Sequence, residues 1–66
     1  LKLLRQAVRA LPPREREIVV MRFGLEGRKE MTQKEVAQIM GISQSYISRL
    51  EKKIMKRLKR EMIKLG

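Results

Sequence analysis

Apolar residues recur at three- and four-residue spacing through most of this 66-residue chain, with polar side chains filling the positions between. That period belongs to α-helices with one buried face. Leu1, Leu4, Val8 and Leu11, interleaved with Lys2, Arg5 and Arg9, predict a first helix over about residues 1–10. Pro12 and Pro13 forbid its continuation, and a proline at the first helical position already holds the backbone angle that a new helix needs. From Pro13 the run R-E-R-E-I-V-V-M-R-F-G predicts a second helix, stopped by Gly24, with Glu15 and Glu17 in its first turn at the positive end of the dipole. Ile18, Val19, Met21 and Leu25 are its core candidates, while Arg14, Arg16 and Arg22 point outward. The stretch 26–31, with Gly27 and four charged residues, reads as a solvated loop.

Thr32 followed three residues later by Glu35 is a capping box, the signature of a helix start. The third helix is expected over about 33–40, with Val36, Ala37, Ile39 and Met40 turned inward. Gly41 can take the left-handed backbone that a sharp turn requires, Ile42 plugs the corner, and Ser43 caps the next helix. Nothing stops that fourth helix between Gln44 and Gly66, which makes a rod of roughly 34 Å at about 1.5 Å per residue. Ile47, Leu50, Ile54, Leu58 and Leu65 form its apolar stripe, with Met55 and Met62 at the edge. Gln44, Ser45, Ser48, Arg49, Lys52, Lys53 and Lys56 lie opposite. The pattern predicts a small all-α domain of four helices, with a C-terminal helix-turn-helix over about 32–60 and a long final helix.

Charge narrows the function. Seventeen Lys and Arg against seven Glu give a formal net charge of +10, and the final 23 residues hold eight basic and two acidic side chains. A polyanion is the natural partner. The absence of Cys and His removes disulfides, thiol nucleophiles, thiolate zinc sites and imidazole bases, so an enzyme would have to work with carboxylates and lysines. We therefore expect a binding domain without catalytic activity, metal, cofactor or small-molecule substrate. No apolar run approaches the roughly 20 residues that span a bilayer, and no secretory leader is visible, so the expectation is a cytoplasmic location. The chain starts at Leu1 and passes directly into amphipathic sequence, the expected appearance of a domain cut from a longer polypeptide.

A helix enters the major groove when its exposed face carries short polar groups for base edges, flanked by long cations for phosphates. Gln44, Ser45, Ser48 and Arg49 occupy the first two turns of the fourth helix, where a helix-turn-helix presents its reading residues. Arg49 can take guanine through O6 and N7, and Gln44 adenine through N6 and N7. A plain soluble surface is the competing reading; the capped turn in register with Ile47 and Leu50 favours recognition. Lys52 and Lys53 still lie within reach of the groove. Lys56, Arg57, Lys59 and Arg60 lie too far along and suit protein contact or long-range steering. Arg14, Arg22 and Gln33 stand near helix ends where phosphate can be held, although each Arg can equally pair with Glu15, Glu17 or Glu26. Glu51 is expected to serve as an intradomain salt-bridge partner. Met55, Leu58, Met62 and Leu65, with Phe23 and Leu25, form either a groove for another protein's helix or packing for the first helix.

At these residues the chain resembles region 4 of bacterial RNA polymerase sigma factors, the domain that recognises the promoter -35 element. Three blocks carry the resemblance: L-P-P-R-E-R-E-I-V-V-M-R-F-G-L from Leu11, T-Q-K-E-V-A-Q-I-M-G-I-S-Q-S-Y-I-S-R-L-E from Thr32, and K-K-I-M-K-R-L-K from Lys52. The second block is most similar to sporulation sigma factors of the early mother-cell type. Housekeeping members usually carry charged residues where this chain has Gln44 and Ser45, which implies a different -35 preference.

The resemblance implies that Gln44, Ser45, Ser48, Arg49 and Lys53 face bases and adjacent backbone, and that Arg14, Arg22 and Gln33 hold phosphates, with Lys52 beside them. It implies that Lys53, Lys56 and Arg57 meet transcription activators, and that Phe23, Leu25, Met55 and Leu58 pack on the flap of the RNA polymerase β subunit. Anti-sigma proteins would use overlapping surfaces. Two other readings compete: a stand-alone helix-turn-helix repressor, which needs a dimerising element, and a basic amphipathic helix on an anionic membrane, which lacks Trp.

Overall fold

The structure, a computed structural model, describes residues 2–66; Leu1, the expected start of the first helix, lies outside them. Four α-helices follow in order: α1 (Lys2–Arg9), α2 (Pro13–Phe23), α3 (Gln33–Met40) and α4 (Gln44–Leu65). The 22 residues of α4 correspond to about 33 Å, which matches the 34 Å long axis of the molecule. It is the spine against which α1, α2 and α3 all pack.

Helix α2 starts because Pro13 occupies its first turn, and its end is set by Gly24. Gly24 has φ +64°, and both its N–H and that of Leu25 return to the Val20 carbonyl. A β-carbon there would stand 2.8 Å from the Glu30 nitrogen and 2.9 Å from the Arg28 oxygen, because the following loop folds back over the helix end. The Met31 N–H closes that loop on the Met21 carbonyl at 3.0 Å. Ile18, Val19, Val20 and Met21 are all buried. Four successive residues at about 100° each sweep nearly the whole circumference of a helix, so the middle of α2 is enclosed by α1, α3 and α4.

The capping box of α3 forms in both directions. Thr32 Oγ1 accepts from the Glu35 N–H at 3.1 Å, and Glu35 Oε1 accepts from the Thr32 N–H at 2.9 Å. That backbone donor, followed by the Thr32 hydroxyl, holds the Glu35 carboxyl below its ordinary pKa. Because the folded value is depressed, the contribution is whole above the ordinary glutamate pKa and is lost as pH falls through the lower, folded one. Thr32→Ala is expected to lower stability by about 1 kcal/mol while its backbone N–H, still donating to Glu35, keeps most of this acid limb, which urea titrations across that pH range would register. An unchanged midpoint would show that the cap contributes nothing.

The core consists of Ala7, Val8 and Leu11 from the first segment, the four α2 residues, Val36 and Ala37 from α3, and Ile47, Ile54 and Leu58 from α4. One inward assignment is corrected. Ile39 is 59% exposed, whereas Met40 is half-buried against the core and Leu65, at the open end of the α4 stripe, is 45% exposed. In α3, Val36 and Ala37 already face the core, and Ile39 sits two residues beyond Ala37, about 200° around the helix. The all-α, four-helix architecture is as the pattern predicts. No helix among the described residues is long and apolar enough to cross a membrane.

Candidate nucleic-acid interface

The turn between α3 and α4 decides which side of α4 meets solvent. Gly41, at φ +71°, and Ile42 both return their N–H groups to the Ala37 carbonyl. Ile42 is half-buried against the core, and Ser43 then caps α4, its Oγ accepting from the Tyr46 N–H at 3.1 Å. With this entry fixed, Ile47 and Ile54 are fully buried, and Gln44, Ser45, Arg49, Lys52, Lys53 and Lys56 are exposed. Ser48 is half-buried. Gln33, at the start of α3, joins Gln44, Ser45, Ser48 and Arg49 around one shallow open depression. The reading residues expected on α4 and the start of α3 therefore share one surface.

Behind this surface lies a polar brace. Arg22 donates through Nε to Glu51 Oε2 at 2.9 Å, through Nη2 to Oε1 at 3.2 Å, and through Nη1 to the Met31 carbonyl at 2.9 Å. Gln33 Nε2 donates to the same carboxylate at 3.1 Å. Arg22 and Glu51 together thus join α2, the loop end, α3 and α4 at one point, with both ionic side chains less than one-fifth exposed. Its expected role as an intradomain partner is observed. Arg22, grouped by the sequence with the phosphate-binding residues, instead points inward: its partner is Glu51, not Glu15, Glu17 or Glu26. Arg14 remains exposed and makes no ion pair among the described residues.

The surface assigned to protein partners is only partly a surface. Leu58 is 4% exposed and belongs to the core, because it falls on the same helical stripe as Ile47 and Ile54. Leu25 is half-buried against that core. Arg57 is half-buried with Nε 3.1 Å from Glu15 Oε1, an ion contact without hydrogen-bond alignment that ties α4 to the start of α2. Phe23, Met55 and Lys56 are exposed. Beside α1, Leu4, Val8 and Leu25 line an open hollow rimmed by Arg5, Arg9 and Arg16, a feature that α-helical spacing alone did not indicate. Tyr46 was likewise not singled out as a reading residue: it is 40% exposed, and the Arg49 guanidinium carbon lies 5.8 Å from its ring centroid.

A capped tight turn, a buried anchor on the second helix and a polar, cationic outer face define a helix-turn-helix domain of the DNA-binding class. Residues 7–60 match the family described as Sigma-70, region 4, and the chain belongs to that family. It is 59% identical to an RNA polymerase sigma-E factor of Clostridium acetobutylicum over 97% of its length, covering 27% of that protein. It is 45% identical to an RNA polymerase sigma-K factor of Bacillus subtilis over 88% of its length and 20% of the relative. An RNA polymerase sigma-F factor of the same organism is 48% identical over 89% of the chain and 22% of that protein. The chain thus spans about a quarter of the length of the relatives it matches. No solved structure gives a significant match.

Proposed function

We propose that this chain is the promoter-reading domain of a sporulation-type sigma factor, which grips the -35 element of double-stranded DNA with the outer face of α4. The observation that carries this reading is the placement of Gln44, Ser45 and Arg49 on the exposed side of a helix whose entry is locked by Gly41 and Ser43. None of the three side chains is committed to a hydrogen bond or ion pair among the described residues. Ser48 and Lys53 extend the same face. Arg14, Lys52 and the Gln33 end of α3 flank it as phosphate holders, and Arg22 supports it from behind. The net charge of +10 makes the binding electrostatically assisted and steeply salt-dependent.

The rest of the parent sigma factor would engage RNA polymerase core and the downstream promoter element. Phe23, Leu25 and Met55 form the apolar surface offered to the polymerase β-subunit flap, and the arginine-rimmed hollow beside α1 extends it. Lys53 and Lys56 remain free for an activator, and an anti-sigma factor would compete for the same side. Such a protein acts in the cytoplasm, at the nucleoid.

Selection from duplexes carrying a randomised hexamer, bound to this chain at low salt, is expected to enrich one sequence class. Arg49→Ala should flatten the preference at one or two base pairs by about 1–3 kcal/mol, while Lys56→Ala leaves the preference intact. Selection without enrichment would end the promoter reading. Equal weakening of every sequence by both variants would remove Arg49 from the reading set.

A further inference from the structure

Arg49 and Arg22 both lie over aromatic rings, but only one of them has another restraint. The Arg22 guanidinium carbon is 5.5 Å from the Phe23 centroid, and Glu51 and the Met31 carbonyl also hold that side chain. For Arg49 no carboxylate or carbonyl partner is present among the described residues. The Tyr46 ring, one turn earlier, is its sole close partner of this kind, with the guanidinium carbon 5.8 Å from the centroid. Tyr46 is itself well placed to act as a fixed platform. Its N–H is the one bound by Ser43 Oγ at 3.1 Å, so its backbone is anchored at the capped start of α4.

The difference between a ring and a carboxylate as partner is chemical. A carboxylate occupies the N–H edge of a guanidinium, the edge that guanine O6 and N7 would need. An aromatic face attracts the cation from above its plane and leaves the five N–H donors at the rim available. A long Arg side chain otherwise loses considerable rotamer freedom when it binds, and an arginine already restricted loses less. Tyr46 therefore restrains Arg49 without consuming its donors.

We propose that Tyr46 is a positioning residue for base recognition, whose ring holds the Arg49 guanidinium on the reading face and sharpens the discrimination Arg49 provides. This inference rests on the promoter-reading assignment above. It concerns the ring, not the hydroxyl, so Tyr46→Phe and Tyr46→Ala separate it from a direct contact by the phenol oxygen. Both positions are exposed enough that a small change in thermal midpoint is expected for either variant.

The test measures affinity for the selected hexamer and for single-base variants of it, using the whole chain, Tyr46→Phe, Tyr46→Ala, Arg49→Ala and the double variant Tyr46→Ala/Arg49→Ala. Tyr46→Phe should keep the discrimination of the parent. Tyr46→Ala should reduce it about two- to fivefold, the range expected for an exposed cation–π contact, and only at base pairs that Arg49→Ala also relaxes. In the Arg49→Ala background it should change nothing further. Ring-current shifts of the Arg49 side-chain NMR signals, measured without DNA, should be present in the parent and Tyr46→Phe and absent in Tyr46→Ala. Additive effects in the double variant, uniform weakening of all sequences by Tyr46→Ala, or no ring-current shift in the parent would each overturn the inference. A parent chain without hexamer preference would bring down the promoter assignment as well, whereas unaltered preference in Tyr46→Ala defeats this inference alone.

Discussion

Ile47→Ala should lower the stability of the domain by about 2–5 kcal/mol, as expected for cutting a large aliphatic side chain out of a closed core. Ile47 is completely buried among residues of all the packed helices and is the first inward anchor after the turn. For a chain of this length total stability is about 3–10 kcal/mol, so the loss approaches the whole and a large unfolded population should follow. The control is built into the molecule: Ile39→Ala removes the same atoms at a site 59% exposed and should change stability by no more than about 0.5 kcal/mol. Urea denaturation followed by circular dichroism compares the two. Equal losses would mean that the turn does not place Ile47 inside and Ile39 outside, and the reading face would then be misassigned.

Glu51→Ala should cost about 2–3 kcal/mol, somewhat below the about 3–5 kcal/mol of a fully buried pair, since neither ionic side chain is entirely dry. The substitution leaves Arg22 with its Nε and Nη2 donors unpaired and frees the Gln33 amide. Much of the loss is the penalty of stranding a half-buried cation rather than the net worth of the pair. Glu51→Gln keeps one acceptor oxygen and should fall between the parent and Glu51→Ala. Because the brace joins α2 and α3 to the helix that carries Arg49, DNA affinity should also fall at temperatures where the variant remains folded. Full retention of both thermal midpoint and affinity in Glu51→Ala would show that the observed hydrogen bonds carry no weight.

The helices were legible because their signals are local. Prolines at 12 and 13, the Thr32/Glu35 capping box and glycines at 24 and 41 act on their own backbone within a few residues, and each marks an element boundary in the structure. The outward polar face of α4 was legible for the same reason, since Gln44, Ser45 and Arg49 are positioned against Ile47 by helical geometry alone. The misplacements have a common origin. Ile39 and Leu58 are apolar residues whose burial depends on what lies opposite them, and periodicity within one helix does not report that. Arg22 and Arg57 were counted as outward cations, yet each faces a Glu on another helix, 29 residues away in the case of Glu51.

Sequence alone determined where the helices begin and end, the sharp turn before α4 and the strongly cationic balance, because caps, breakers and net charge need no partner at long range. Tertiary structure alone decided which cations remain available. Packing α2 and α3 against α4 consumes Arg22 and Arg57 in ion contacts and joins Gln33 to Glu51, while Arg49 stays uncommitted to any carboxylate and rests over the ring of Tyr46. Such pairings depend on distances between helices, and those distances exist only once the core has closed.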